Sequence, residues 1–271
     1  MTELLLIGIF FGTLWFSFQY GWWRATVPFR YPRILMYHMV ANHKPRARFN
    51  KLRVEPNEFE KQIRWLSQNG WKFRFVSELP VSENEKSVVL TFDDGYRDNF
   101  LTADPVLAKY HAKATLFLTE GRHDVGWSSK KKAHHDDEEL QLEAKLLDED
   151  VRSMISSGRW EIGSHGLTHE NLRTSDSKTR AAEIRESKSL LENKFGVSVE
   201  SFAYPFGIYG REDVDLVEES GYRFGLTTEQ GISMNLTEPD SYVLKRIKVS
   251  GAGGMYSFTL RIRTGKCRFR D

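Results

Sequence analysis

Short apolar segments alternate with amphipathic segments along most of the chain, and this alternation restricts the possible folds more than any other feature. The segments "YPRILMYHMV" (31–40), "KSVVLTF" (86–92) and "ATLFLTE" (114–120) predict buried strands, whereas "EPNEFEKQIRWLSQNG" (55–70) predicts an amphipathic helix. Strands that alternate with helices through short connections are typical of parallel βαβ units. The sequence therefore predicts the α/β class.

The charge pattern and the cysteine content exclude several classes of protein. The chain of 271 residues has a formal net charge of +2. Its positive and negative residues are interspersed, which gives no sign of a nucleic-acid partner. Cys267 is the only cysteine, so neither a disulfide within the chain nor a zinc–thiolate site is possible.

The N-terminal stretch differs from the rest of the chain, because residues 4–23 carry no charged side chain. About twenty apolar residues are what a helix needs to cross a bilayer, and aromatic residues end the stretch as they do at membrane interfaces. We therefore expect residues 1–25 to form a transmembrane anchor helix and residues 26–271 to form the main domain. A cleaved signal peptide fits less well, because no small-residue cleavage site follows.

A charged insertion is expected at about residues 122–150, where a block of lysines precedes a block of acidic residues. Such blocks are typical of solvated, partly helical segments. His134 and His135 in this stretch could bind a metal, but no apolar strand holds them in place. We interpret the stretch as a solvated insertion within the domain.

Two adjacent carboxylates, Asp93 and Asp94 in "TFDDG", directly follow a predicted buried strand. Like charges side by side resist burial unless a cation holds them. A simple turn is one interpretation, since Asp and Gly favour turns. The other interpretation is half of a metal site.

A histidine pair, His165 and His169 in "GSHGLTHEN", follows another short apolar strand. On a helical turn, side chains four residues apart share a face and can chelate one ion. Because parallel strands present their C-terminal ends at one mouth, both motifs are expected there. One carboxylate and two imidazoles leave coordination positions open for water and substrate, and the second carboxylate could act as general base.

The segment "FAYPFG" (202–207) is a third candidate, because a Pro-Phe-Gly turn after a strand builds a rigid aromatic wall. Such walls suit sugar rings. A packed turn without a ligand is the alternative.

Taken together, these motifs resemble those of the polysaccharide deacetylases of the NodB-homology type (carbohydrate esterase family four). "TFDDG", "SHGLTH" and "YPFG" resemble the family's first three motifs in order, and "MYHMV" resembles the branch that includes bacterial poly-N-acetylglucosamine deacetylases. The resemblance covers about residues 34–249. It implies a distorted, NodB-like (β/α) barrel of about seven parallel strands, and metal-dependent hydrolysis of the N-acyl group of an amino sugar.

The resemblance also implies roles for individual residues. Asp93 corresponds to the catalytic base, while Asp94, His165 and His169 correspond to the ligands of a divalent metal, usually zinc. Tyr204 corresponds to a residue whose main-chain N–H binds the oxyanion. Pro205 and Phe206 are expected beside it as substrate-binding residues.

Two departures from the family pattern affect the predicted mechanism. Ala203 stands where the family often has an arginine that pairs with the base, and no histidine follows His169 to supply the general acid. We expect His38, at the end of the first strand, to act as general acid, and Arg246 in "LKRIKV" to orient the base. The alternatives are a satisfied buried histidine and a surface ion pair.

The resemblance therefore predicts an N-deacetylase, a hydrolase of a non-peptide C–N bond. Its substrate would be a cell-envelope polysaccharide or a lipid-linked saccharide intermediate. The expected location is the bacterial inner (cytoplasmic) membrane, and Arg24, Arg30 and Arg33 favour a cytoplasmic domain by the positive-inside rule. A catalytically impaired saccharide-binding relative is the alternative, and a different metal-dependent amidohydrolase is a third possibility.

Overall fold

The computed structural model describes residues 2–82, 84–123 and 138–266. Within these ranges the strands are β1 (Arg33–Tyr37), β2 (Met39–Val40), β3 (Arg53–Val54), β4 (Lys72–Arg74), β5 (Ser87–Asp93), β6 (Ala114–Leu118), β7 (Trp160–Ser164), β8 (Ser201–Ala203), β9 (Phe224–Gln230) and β10 (Leu244–Lys248). The α-helices are α1 (Thr2–Tyr20), α2 (Pro56–Gln68), α3 (Asp104–Lys109), α4 (Glu138–Gln141), α5 (Asp148–Ser156), α6 (Ser177–Ala181), α7 (Ser187–Phe195), α8 (Arg211–Glu219) and α9 (Met255–Thr264).

Seven of these strands form a closed parallel barrel in the order β1-β10-β9-β8-β7-β6-β5, which the β1–β5 pairing closes. In that pairing Arg33 lies opposite Val88 and Tyr37 opposite Phe92. Strand β4 pairs with the first residues of β5, and β2 and β3 form a separate two-stranded parallel sheet. The predicted NodB-like barrel is therefore confirmed.

The barrel has two cores, because successive side chains of a strand point to opposite faces. The outer core lies between strands and helices, and α2 contributes Phe59, Ile63 and Leu66 to it. The inner core is a separate cluster that contains Ile34, Val89, Phe117, Ala203, Leu226 and Leu244. The inward-facing positions continue towards the C-terminal strand ends, where polar residues replace the apolar ones.

Buried polar groups close the N-terminal end of the barrel. The fully buried Arg33 guanidinium donates to the carbonyl oxygens of Ile262 (2.7 Å) and Val27 (2.6 Å), and also to those of Pro28 and Tyr31. These contacts tie α9 and the segment before β1 to the barrel.

A second polar group at this end, the carboxylate of Glu161, holds the turn that follows β4. It accepts hydrogen bonds from the N–H groups of Val76 (2.7 Å) and Ser77 (3.2 Å) and from the hydroxyls of Ser77 and Thr115. Because Val76 belongs to the inner core, Glu161 fixes a segment that covers the bottom of the barrel.

The predictions of an N-terminal transmembrane helix and of a solvated charged insertion are each only partly met or tested. A helix forms near the N-terminus (α1), but none of the helices in the described ranges is both long and apolar enough to span a bilayer. Residues 124–137 of the expected insertion lie outside the described residues. The remainder is not solvated throughout, since Leu140 packs against Met39 and Tyr96.

Candidate metal and catalytic site

The C-terminal strand ends converge on one cavity of about 400 Å³. Asp93 is the last residue of β5, and Asp94 follows it. His165 directly follows β7, and His38 directly follows β1. The structure thus brings the "TFDDG" and "SHGLTH" motifs and His38 to the same mouth, where all of them line the cavity together with His169.

Asp94, His165 and His169 form a compact cluster in this cavity. Asp94 Oδ1 lies 3.4 Å from Nε2 of each histidine, and one donor atom from each residue falls within 4.8 Å of the others. All three side chains are buried. A carboxylate and two imidazoles at this separation can bind one divalent ion on three sides.

The prediction of a helical turn between His165 and His169 is wrong. Residues 165–171 form a loop without helix, in which Gly166 (φ +85°) and His169 (φ +61°) adopt left-handed conformations. These reversals, rather than helical periodicity, bring the two imidazole rings to a centroid distance of 4.8 Å. The histidine pair therefore does come together as predicted, but the loop conformation and not a helical turn is the reason.

Burial and charge act in opposite directions on the cluster. Burial raises the pKa of Asp94, but the nearby imidazoles of His165, His169 and His38 together outweigh this and hold the pKa well below its usual range. Burial lowers the pKa of His165, but Asp94 and Asp93 raise it to a larger extent. The negative charge of the cluster therefore favours a bound cation. A metal ion and protons would compete for the same imidazole nitrogens.

Two details of the cluster fit a bound divalent ion. His165 Nδ1 lies 2.6 Å from the carbonyl oxygen of Ala203, and a hydrogen bond donated there leaves Nε2 as the metal-facing lone pair. Among the described residues, the buried Asp94 Oδ1 has no hydrogen-bond partner. A buried carboxylate oxygen in that state is expected to have a ligand.

Asp93 has a different environment from its neighbour. The fully buried Arg246 guanidinium donates to Asp93 Oδ1 (2.7 Å) and Oδ2 (2.8 Å), and also to the carbonyl oxygen of Thr227 and to Thr91 Oγ1. Burial opposes ionisation of Asp93, but the charge and hydrogen bonds of Arg246, together with the charges of His165 and His38, outweigh it and lower the pKa. Arg246 therefore forms a buried, two-pronged ion pair with Asp93, the residue that it was predicted to orient, and the alternative of a surface ion pair does not apply.

The "FAYPFG" segment lines the cavity, but not with the group that was expected. The main-chain N–H of Tyr204 donates to the carbonyl oxygen of Leu226 (3.0 Å) as part of the β8–β9 ladder. That N–H cannot bind an oxyanion while this bond is intact. Phe206, at φ +58°, places its ring 4.4 Å from the His169 ring, and Pro205 is buried at the start of the turn.

His38 is partly buried and its side chain lines the cavity. Its carbonyl oxygen accepts a hydrogen bond from Asn99 Nδ2 (2.9 Å), which fixes the main chain at the end of β1. The imidazole faces the same space as Asp93 and Asp94, so it can reach a substrate bound beside them.

Several cavity residues were not predicted from the sequence. Phe49, Leu52 and Leu140 form an apolar wall, and Thr228 and Lys248 lie on the barrel side. Thr228 and Lys248 are next to or at the ends of predicted strands, which is the signal that could have identified them. The apolar wall has no such signal, because it combines two segments far apart in sequence.

Comparisons with known proteins agree with this geometry. The family model for polysaccharide deacetylase matches residues 81–225. YxkH of Bacillus subtilis (strain 168), which is named as a polysaccharide deacetylase, is 33% identical over 85% of this chain and 75% of its own length. The poly-beta-1,6-N-acetyl-D-glucosamine N-deacetylase of Staphylococcus aureus (strain MRSA252) is 25% identical over 73% of this chain and 68% of its own.

Among solved structures, BC0361, a polysaccharide deacetylase from Bacillus cereus, matches with a TM-score of 0.73 at 26% identity. The match covers 86% of this chain and 69% of that one. The family model spans the strands that carry both carboxylates and both histidines, and the fold agrees over most of the chain. The protein therefore belongs to the polysaccharide deacetylases, a family of amide-hydrolysing enzymes.

Proposed function

We propose that the protein is a metal-dependent N-deacetylase that hydrolyses the acyl amide of an amino sugar within a polymer. The supporting observation is that one cavity holds a three-donor cluster beside a carboxylate that a buried arginine keeps ionised. Neither part alone would be specific, but together they supply a cation site and a proton acceptor.

Asp94, His165 and His169 would hold the metal, and zinc suits this donor set best. When bound, a divalent ion polarises the acyl carbonyl and lowers the pKa of water. The imidazole of His165 is oriented for this purpose by its hydrogen bond to Ala203. The same buried cluster excludes most bulk water, which strengthens its interactions with the substrate.

Asp93 would accept a proton from the attacking water while the oxygen of that water bonds to the acyl carbon. The C–N bond then breaks, the amine nitrogen takes a proton, and a carboxylate and a free amino sugar leave. Arg246 keeps Asp93 ionised and fixes both of its oxygens. Replacement of Arg246 by alanine should remove the largest influence that opposes the effect of burial, raise the pKa of Asp93 and move the acidic limb of the pH–rate profile to higher pH. An unchanged profile would reject this role.

His38 would donate the proton to the leaving amine, since its side chain lines the cavity and an imidazole can act as a general acid. The competing interpretation is a histidine retained for packing. The variant His38→Ala should lose turnover by about 10²- to 10⁴-fold if His38 is the general acid. Turnover within a few-fold of wild type would reject that role.

The substrate class is supported by the wall of the cavity and by a relative. The apolar residues Phe49, Leu52 and Leu140 can pack against the flat face of a sugar ring. A relative at 25% identity is named as a poly-beta-1,6-N-acetyl-D-glucosamine N-deacetylase. An N-acetylated glucosamine polymer is therefore proposed over a lipid-linked saccharide.

The test is acetate release from N-acetylglucosamine oligomers and, in parallel, from lipid-linked N-acetylated saccharides. The wild-type protein supplied with zinc should release acetate from the oligomers, and the same protein after removal of metal with a chelator should not. Release from the lipid-linked substrate alone would change the proposed substrate class. A metal-loaded protein that releases acetate from neither would favour a saccharide-binding relative, which the complete set of donors and base now disfavours.

The cellular location stays a prediction of the sequence. That prediction, a domain on the cytoplasmic side of the bacterial inner membrane, used Arg24, Arg30 and Arg33 as the flank of a transmembrane helix, and none of the helices in the described residues is long and apolar enough to span a bilayer. Protease protection of the domain in spheroplasts is the expected result, and digestion there would indicate the outer side.

A further inference from the structure

The loop that carries the two candidate histidine ligands has no secondary structure of its own to hold it. Residues 166–168 connect His165 to His169, and both Gly166 and His169 have positive φ. The carbonyl oxygens of Gly166 and Leu167 accept hydrogen bonds from the N–H groups of Glu120 (3.1 Å) and Gly121 (2.7 Å). These contacts use only the carbonyl groups of the loop, so its N–H groups and the hydroxyl of Thr168 need acceptors elsewhere.

The N–H of Gly166 donates to Ser164 Oγ (3.2 Å), and one carboxylate, that of Glu183, accepts from the donors of Leu167 and Thr168. The N–H of Leu167 donates to Oε2 (2.8 Å), the N–H of Thr168 is shared between Oε1 (3.1 Å) and Oε2 (3.2 Å), and Thr168 Oγ1 donates to Oε1 (2.6 Å). Glu183 is only 3% exposed, so water cannot readily replace it. Charge-assisted hydrogen bonds of this kind are stronger than neutral ones.

Local backbone geometry brings Glu183 to this place. Residues Ala182–Glu186 form a π-helical turn between α6 and α7, and such turns are frequent at functional sites. On the other side, a Cβ at position 166 would lie 2.5 Å from Glu183 Oε2. Gly166 is therefore required twice, for its positive φ and for the close approach of the carboxylate.

We infer that Glu183 is a positioning residue for the metal site, which holds the His165–His169 loop so that both imidazoles face Asp94. This inference rests on the proposed function, because it assumes that the cluster binds a metal. Glu183 itself contacts neither imidazole in the hydrogen bonds described. It acts through Thr168, the neighbour of His169, and through Leu167.

Metal affinity of the apo-protein tests the inference without any substrate. In Glu183→Gln the side-chain amide nitrogen cannot accept, so at least one loop donor loses its partner. We expect zinc to bind about 10- to 100-fold more weakly than to wild type, as is typical when a residue that orients a metal ligand is replaced. Thr168→Val removes only the hydroxyl donor and should have a smaller effect in the same direction.

The control is Glu161→Gln, because Glu161, like Glu183, accepts hydrogen bonds from two N–H groups, and it accepts from two hydroxyls where Glu183 accepts from one, but it lies at the opposite end of the barrel. Competition titration with a chromogenic chelator gives the zinc affinity, and thermal unfolding of each apo-variant gives its stability. Unchanged zinc affinity in Glu183→Gln, or an equal loss in Glu161→Gln at equal stability, would overturn the inference alone. Absence of zinc binding in wild type would overturn the proposed function as well.

Discussion

The two ends of the barrel use buried polar groups in opposite ways. At the N-terminal end, Arg33 and Glu161 are surrounded by partners from the chain itself. At the C-terminal end, Asp94 Oδ1 lacks a hydrogen bond among the described residues, and two imidazole nitrogens face it at 3.4 Å. Buried polar groups whose hydrogen bonds are all made within the chain stabilise the fold. A buried polar group that lacks a partner within the chain is expected to gain one from a ligand. Variants at the two ends should therefore differ in which property they lose.

The largest effect is expected for Asp94→Asn. This variant removes one of three metal donors, so acetate release should fall to the level of the chelated protein. It also removes both the burial cost of that charge and its attraction to His165 and His169, so the thermal midpoint of the apo-protein should fall much less than in Arg33→Met. Calorimetry of the two apo-proteins checks this, and a large destabilisation would mean that Asp94 has a structural role like that of Arg33.

The next largest effect is expected for Asp93→Asn. An amide cannot accept the proton of water, so turnover should fall by about 10²- to 10⁴-fold. Loss of the anionic partner also leaves the Arg246 charge buried, which should lower stability by about 3–5 kcal/mol. Rates are therefore measured well below the thermal midpoint. Turnover close to wild type would assign the base to another residue.

Arg33→Met tests the N-terminal end and should affect stability alone. Methionine fills similar space but leaves the carbonyl oxygens of Val27, Pro28, Tyr31 and Ile262 without their donor. We expect a loss of about 3 kcal/mol in the free energy of unfolding, measured with urea, and normal turnover below the transition.

The matched control for Arg33→Met is Arg211→Met, because the Arg211 side chain is 77% exposed. Exposed substitutions of this kind usually change stability by less than about 0.5 kcal/mol. An equal loss in both variants would contradict a specific role for Arg33.

The smallest effect is a pH dependence of stability due to Glu161. Burial raises the pKa of Glu161, although the surrounding hydroxyl and N–H donors lower it in part. A group with a higher pKa in the folded state binds protons more tightly there, so its contribution to stability is present at low pH and is lost as pH rises through the folded pKa. Urea midpoints of wild type relative to Glu161→Gln should therefore fall with rising pH, and a constant difference would contradict this.

Local sequence signals were sufficient to predict the parts of the site that lie at strand ends. Asp93, Asp94 and His165 each follow an apolar run, and the barrel brings such positions together because parallel strands end at one mouth. Arg246 was identified for the same reason, by its place in the last strand. These residues need only the strand register to be placed.

The remaining features depend on contacts between distant segments, which no local pattern encodes. The N–H of Tyr204 is used by β9, a pairing that a motif does not reveal. Leu140 belongs to a charged stretch, yet it packs against the strand that follows His38. In the sequence, Glu183 is one acidic residue among many, and the π-helical turn that directs it to the histidine loop has no clear sequence signature.

The division of labour between the two neighbouring carboxylates is tested most directly by the zinc content of Asp93→Asn and Asp94→Asn, measured side by side after dialysis against zinc. We expect Asp93→Asn to keep about as much zinc as wild type while losing turnover, because its partner is Arg246 and not the metal. Asp94→Asn should lose both zinc and turnover. Equal zinc content in the two variants, whether retained or lost, would contradict the assignment of Asp94 to the metal and Asp93 to the proton.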